Sequence, residues 1–270
     1  MDGKRHSWHG ILPTAFLAFG VLSALIRMLL ITNFKILPNE LDQSYYYLKF
    51  GGANALFVAL VAILCTAALL AAANVKKRCK VQTAYLTRIA KISSLACGIA
   101  ILPCTALYLI NLTEPGALFV VFAILFALLS AARMILPAIG KIKMRTEICA
   151  YLGMSVTAFY AVRILCDFVT QTASPLDMSG AYHFLMLIVM MFFWLQETRA
   201  SLGKPQKQMY LTFGFLSLTL APIYAMPTLV LRLTSGLGTV SQACISVLEI
   251  IMCVYIHARL SRAIGDEYEA

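Results

Sequence analysis

Residues 151–170 read YLGMSVTAFYAVRILCDFVT, an apolar run that nevertheless carries Arg163 and Asp167. As a helix rising about 1.5 Å per residue, the run is long enough to cross the hydrocarbon of a bilayer. The four-residue spacing puts Arg163 and Asp167 on one helix face, and Tyr160 and Thr170 extend that face in either direction. An ionised side chain at membrane depth costs about 3 kcal/mol, so it normally faces the protein interior, a partner charge or water. The polar stripe therefore has two readings: an ion pair closed within one helix, or the wall of a working interior.

The rest of the chain agrees that this is a membrane protein. Of its 270 residues 61% are hydrophobic and 13% charged, with a mean hydropathy of +0.83. Soluble domains carry roughly 25% charged residues, so the deficit decides the class. At about 20 apolar residues per crossing plus loops, the length holds about eight spans and no sizeable soluble domain. The reading is an all-α, polytopic integral membrane bundle forming one membrane domain over residues 1–270.

The spans are expected near 11–31, 53–74, 92–112 and 116–137, then the 151–170 stretch, then 181–195, 209–231 and 239–257. Arg27, near the far end of the first, is expected to snorkel toward headgroups. Between the first two lies a polar connection from Thr32 to Gly52, where Asn39, Glu40 and Asp42 suggest a short helix with Tyr45, Tyr46 and Tyr47 at headgroup level. The sixth span, with FLMLIVMMFFWL at 184–195, has few small or polar residues and is expected to face lipid, Trp194 marking its interfacial end. The interior would then come from helices one, three, five, seven and eight. Residues 259–270 read as a free, charged tail.

The net charge of +10 does not describe a nucleic-acid surface, because the basic residues sit in alternate connections. Lys4 and Arg5, the run from Lys76 to Lys91, Lys141 to Arg145, Arg199 to Lys207, and Arg259 with Arg262 fall on one side. Only Lys35, Lys49 and Arg232 fall on the other. That bias predicts both termini in the cytoplasm and insertion in the cell membrane, with the lipid bilayer as the one certain partner. The first span is too long for a secretory leader and no small-residue cleavage site follows it. The eight cysteines form no CxxC and read as small apolar filler. No metal or cofactor is expected.

Residues 1–138 and 147–258 can be laid on each other as two four-helix units. ALYLINLTEPG at 106–116 aligns with PTLVLRLTSGL at 227–237, prolines interrupt the preceding helix in each half, and Arg27 and Arg163 occupy corresponding places. Such a repeat would be parallel, about an axis along the membrane normal.

Three features converge on a site. The first is the stripe of Tyr160, Arg163, Asp167 and Thr170. The second is the eighth span, where Gln242, Ser246, Glu249 and Cys253 share a face and Glu249 has no basic residue within reach on its own helix. Glu249 must then be protonated, paired with another span, or hydrated. The third is Tyr224 between Pro222 and Pro227 in a seventh helix expected to break there, as the third is at Pro103. Interrupted helices expose carbonyls that mark substrate or ion pathways in transporters. HExxH, GxSxG, P-loop and dinucleotide-turn motifs do not occur, so an enzyme is not expected. The function expected is a secondary transporter or permease for a small solute or ion. A non-transporting membrane sensor or assembly subunit is the alternative. Sequence leaves oligomeric state open.

Overall fold

The computed structural model describes residues 8–36, 47–48, 52–77, 79, 81, 86–111, 116–139, 146–171, 178–236 and 239–265. Among them lie eight helices long and apolar enough to span a membrane. They are α1 (Leu12–Phe34), α2 (Gly52–Val75), α3 (Arg88–Ile110), α4 (Ala117–Ile139), α5 (Thr146–Gln171), α6 (Met178–Ser201), α7 (Lys207–Ser235) and α8 (Val240–Gly265). A helix satisfies its backbone polar groups internally, which hydrocarbon demands. The protein is therefore a multi-pass, all-helical membrane bundle, as the composition implied.

Local chemistry sets several boundaries. Thr87 caps α3 by accepting from the Ala90 N–H at 3.2 Å. The turn into α8 is a capping box: the Thr239 hydroxyl accepts from the Gln242 N–H at 3.2 Å, and the Gln242 side chain accepts from the Thr239 N–H at 3.0 Å. Helix α7 ends at Gly236, whose φ of 68° is the left-handed conformation that glycine adopts without strain. In the connection after α1, Lys35–Ile36 (β1) and Tyr47–Leu48 (β2) form a minimal antiparallel pair. The helix expected around 39–47 falls mostly outside the described residues, and Tyr47 itself is in a strand.

Six helices close a ring in the order α7, α8, α3, α4, α5, α6, each packing on the next and α6 returning to α7. Helices α1 and α2 lie outside this ring against α7. Helices α6, α7 and α8 are the most buried spans. This overturns the lipid-facing expectation for the sixth: Met186, Leu187, Met190 and Phe193 are fully enclosed, and Trp194 stacks on Tyr255 with ring centroids 5.4 Å apart instead of marking the interface. Bulky apolar side chains suit a protein interior and a lipid surface equally, so hydropathy could not separate the two. Nor is the eighth helix over at 257. It continues to Gly265 with Arg259 and Leu260 buried.

The prolines do not break their helices. Helix α3 is continuous through Pro103 and α7 through both Pro222 and Pro227. Each proline still lacks the N–H that would bond the carbonyl four residues earlier, and in α7 helix α1 attends to both. Gly20 lies against the carbonyls of Leu218 and Thr219; a Cβ there would sit 2.6 and 2.9 Å from their oxygens. About two turns further along α1, Arg27 donates from Nη1 to the Ile223 carbonyl at 2.8 Å, the oxygen that Pro227 leaves without a helical partner. Arg27 is thus 1% exposed and does not snorkel.

The two halves pack differently. Helix α1 rests on α7 and α3 on α8, whereas exchange of the halves would require α5 on α3 and α7 on α4, pairs without substantial contact among the described residues.

Candidate functional site

The polar residues predicted from the fifth and eighth spans meet inside the ring. Arg163 of α5 donates from Nη1 to Glu249 Oε1 of α8 at 2.5 Å, and the Tyr160 hydroxyl donates to Glu249 Oε2 at 3.0 Å. Glu249 is 0% exposed. Its missing partner is therefore on another helix. The ion pair within α5 does not form as the primary contact, although Asp167 lies close enough to act on Arg163 electrostatically.

Asp167 is held by α3 and α6. The Tyr108 hydroxyl donates to Oδ1 at 2.5 Å, and His183 Nε2 lies 2.7 Å from Oδ2. Sequence reasoning missed both: a lone histidine near a span end implies no metal site, and a tyrosine near a span end reads as an interfacial anchor. The His183 ring packs 4.5 Å from the Tyr224 ring, centroid to centroid. Tyr224 and Tyr182 in turn lie 5.9 and 4.7 Å from the Arg27 guanidinium carbon. A cation over an aromatic face is attracted by the ring quadrupole. Polar and aromatic contacts thus run from α1 through α7, α6, α5 and α3, and Arg163 continues them to α8.

Not every predicted residue joins this cluster. Gln242 serves the cap of α8, and the Ser246 hydroxyl donates to the Gln242 carbonyl at 2.8 Å within the same helix. Among the described residues Pro103 and Pro222 make no polar contact with the cluster, whereas Pro227 is tied to it through Arg27. The Thr170 side chain lies outside the described residues.

A small void lies beside Arg163, lined also by Cys104, Thr105, Tyr108, Phe159 and Cys166. It has room for about one water molecule. Arg163 Nε and Nη2 have no hydrogen-bond partner among the described residues. The site therefore combines two carboxylates, two phenols, an imidazole and an arginine with unused donors, at a depth where water is scarce. Such a set can exchange a proton and re-pair a cation.

A second buried polar group was not foreseen. Glu197 of α6 accepts from Arg259 Nη2 of α8 at 2.8 Å and from the Tyr255 hydroxyl at 3.3 Å, while Arg133 of α4 reaches Ser201 at 3.4 Å. In the sequence Gln196, Glu197 and Thr198 look like the start of a loop, and Arg259 like a topology signal. The signal that could have found them is the matched spacing: α6 and α8 each carry a charge of opposite sign near the end that abuts the same basic face.

Comparison with protein-family models, with curated proteins and with solved structures finds no match.

Proposed function

We propose that this chain is a secondary transporter for a small solute, in an occluded conformation, with proton movement at Glu249 as the coupling event. The observation that carries the proposal is that Arg163 lies between two carboxylates, Glu249 and Asp167, and lines the void in the ring. Protonation of Glu249 weakens its hold on Arg163, and the guanidinium then has Asp167 one turn along its own helix. A packed interior with two discrete pairings is the kind of bistable element that domain rearrangement exploits. Among the described residues the titratable or charged groups that act on Glu249 are Arg163 and Tyr160 from α5, Cys97 and Cys104 from α3, and Cys253 from its own helix. The basic bias of alternate connections supports insertion in the cell membrane with both termini cytoplasmic.

The alternative, a non-transporting sensor or assembly subunit, draws support from the complete enclosure of the Arg163–Glu249 pair, which interhelical polar contacts also show when they serve only as glue. Native cysteines separate the two. In a variant retaining only Cys104, a charged thiol reagent added from either side of a proteoliposome reaches the thiol if the ring opens alternately. Glu249→Gln should then restrict reaction to one side. A Cys104 that stays inert from both sides removes the transport reading.

A further inference from the structure

We infer that the groove between α3 and α4 binds an amphiphile with a single acyl chain that enters sideways from the bilayer, one oxygen of its anionic head taking the water-sized void behind Thr105. The groove has a volume of about 500 Å³ and is lined by Leu102, Ala106, Leu109, Val120 and Ile124, with Thr105 at its base. Thr105 also lines the void beside Arg163, so the two spaces abut through one residue. The volume falls within the range of pockets that hold drug-sized ligands. Along α3 it extends from Leu102 to Ile110, about 12 Å at the helical rise.

The two ends of this space ask for different chemistry. The groove offers an acyl chain apolar contact on a surface that already meets lipid tails, since Leu102, Ile110, Ile124 and Leu128 are exposed. The inner end offers Arg163, 3% exposed, with Nη1 committed to Glu249 and with Nε and Nη2 unpartnered among the described residues. A guanidinium presents its donors in a fixed fork that suits carboxylate and phosphate oxygens. An incoming anion would add a charge to a pair that is already neutral. A proton taken up by Glu249 restores the balance, so anion and proton arrive together and the complex gains no net charge.

What is moved rests on the transport reading, whereas the binding site does not. The test uses the full chain in phosphatidylcholine vesicles with a trace of diazirine-bearing palmitic acid, irradiated and mapped by mass spectrometry. Adducts are expected to concentrate on residues 102–110 and 120–128. Palmitate or hexadecyl phosphate in excess should remove them, and hexadecanol should not; whichever anion competes at the lower concentration identifies the head as carboxylate or phosphate. Ala106→Phe, at an exposed position that the bilayer tolerates, should reduce the adducts several-fold with an unchanged thermal midpoint. Adducts spread evenly over lipid-facing helices, or equal competition by hexadecanol, would overturn the site. Alternating Cys104 reactivity without these adducts would overturn the substrate class and leave transport standing. The adducts with Cys104 inert would do the reverse.

Discussion

Among the described residues the same three-part arrangement occurs twice, an arginine and a glutamate from two ring helices with a tyrosine hydroxyl on the carboxylate, and the two copies are surrounded differently. Arg163, Glu249 and Tyr160 have a second carboxylate, Asp167, one helical turn away and a void alongside. Arg259, Glu197 and Tyr255 have a second arginine, Arg133, close enough to act on Tyr255, and a stacked Trp194. One cation with two acceptors has two ways to pair. Glu197 has one arginine in contact, Arg259, while Arg133 is engaged with Ser201, and the Trp194–Tyr255 stack packs against the pair. The difference suggests that the region around Arg163 is made to re-pair and the region around Glu197 to hold α6 and α8 together.

Removing one partner of a buried ion pair typically costs 3–5 kcal/mol because the other charge is left stranded. Glu197→Gln should approach that, about 3–5 kcal/mol by reversible unfolding in detergent, since Arg259 then has no carboxylate in contact among the described residues. The double variant Glu197→Met, Arg259→Leu should recover most of it, because a well-packed apolar replacement avoids desolvating two ions. Glu249→Gln should cost less, about 1–3 kcal/mol, because Asp167 takes over part of the compensation for Arg163. Equal costs at the two glutamates would break the comparison. A double variant as unstable as Glu197→Gln would show that the inner contact is valued for its charges.

The eight spans were legible because a bilayer demands long apolar helices and hydropathy reports that directly. Arg163, Asp167 and Glu249 were legible for the converse reason, that ionisable groups at such depth stand out. Their pairing was not. Spacing along α5 favoured Arg163 with Asp167, but tertiary packing brings Glu249 closer, and a single sequence does not encode which helices become neighbours. Helix α6 was misplaced because the interior and the lipid are equally apolar, leaving no compositional gradient to read. The prolines were recognised, but their effect was not: the carbonyl freed by Pro227 is satisfied by Arg27, a residue 196 positions from its acceptor Ile223.

That last contact supports a smaller prediction. Arg27→Met should cost about 1–3 kcal/mol, the penalty for a buried carbonyl without a donor. Pro227→Ala gives Ile223 an N–H from its own helix, so in that background the same substitution should cost about 1 kcal/mol less. Additive costs would mean that Arg27 matters for its place over Tyr182 and Tyr224, and would draw α1 into the cluster around Arg163 instead of leaving it as a support for α7.

The smallest effect concerns Cys79, a buried thiol outside the spans beside the basic face. Burial raises it from its usual 9.0 to about 11, with Lys207 opposing the shift. At pH 8 only about one thiol in a thousand is then the reactive thiolate. Alkylation of Cys79 should be slow at neutral pH and accelerate about tenfold per pH unit until the thiol titrates. The unfolded chain releases this proton from 9.0 upward while the folded chain keeps it to about 11, so stability should decline across that window as pH rises. Cys104 and Cys79 thereby become paired reporters. If Cys104 becomes accessible in turn from each side while Cys79 stays slow, only the region around Arg163 opens. Rapid reaction of Cys79 at neutral pH would instead mean that the basic-face end opens as well, and the contact between Glu197 and Arg259 would then belong to the moving part of the molecule.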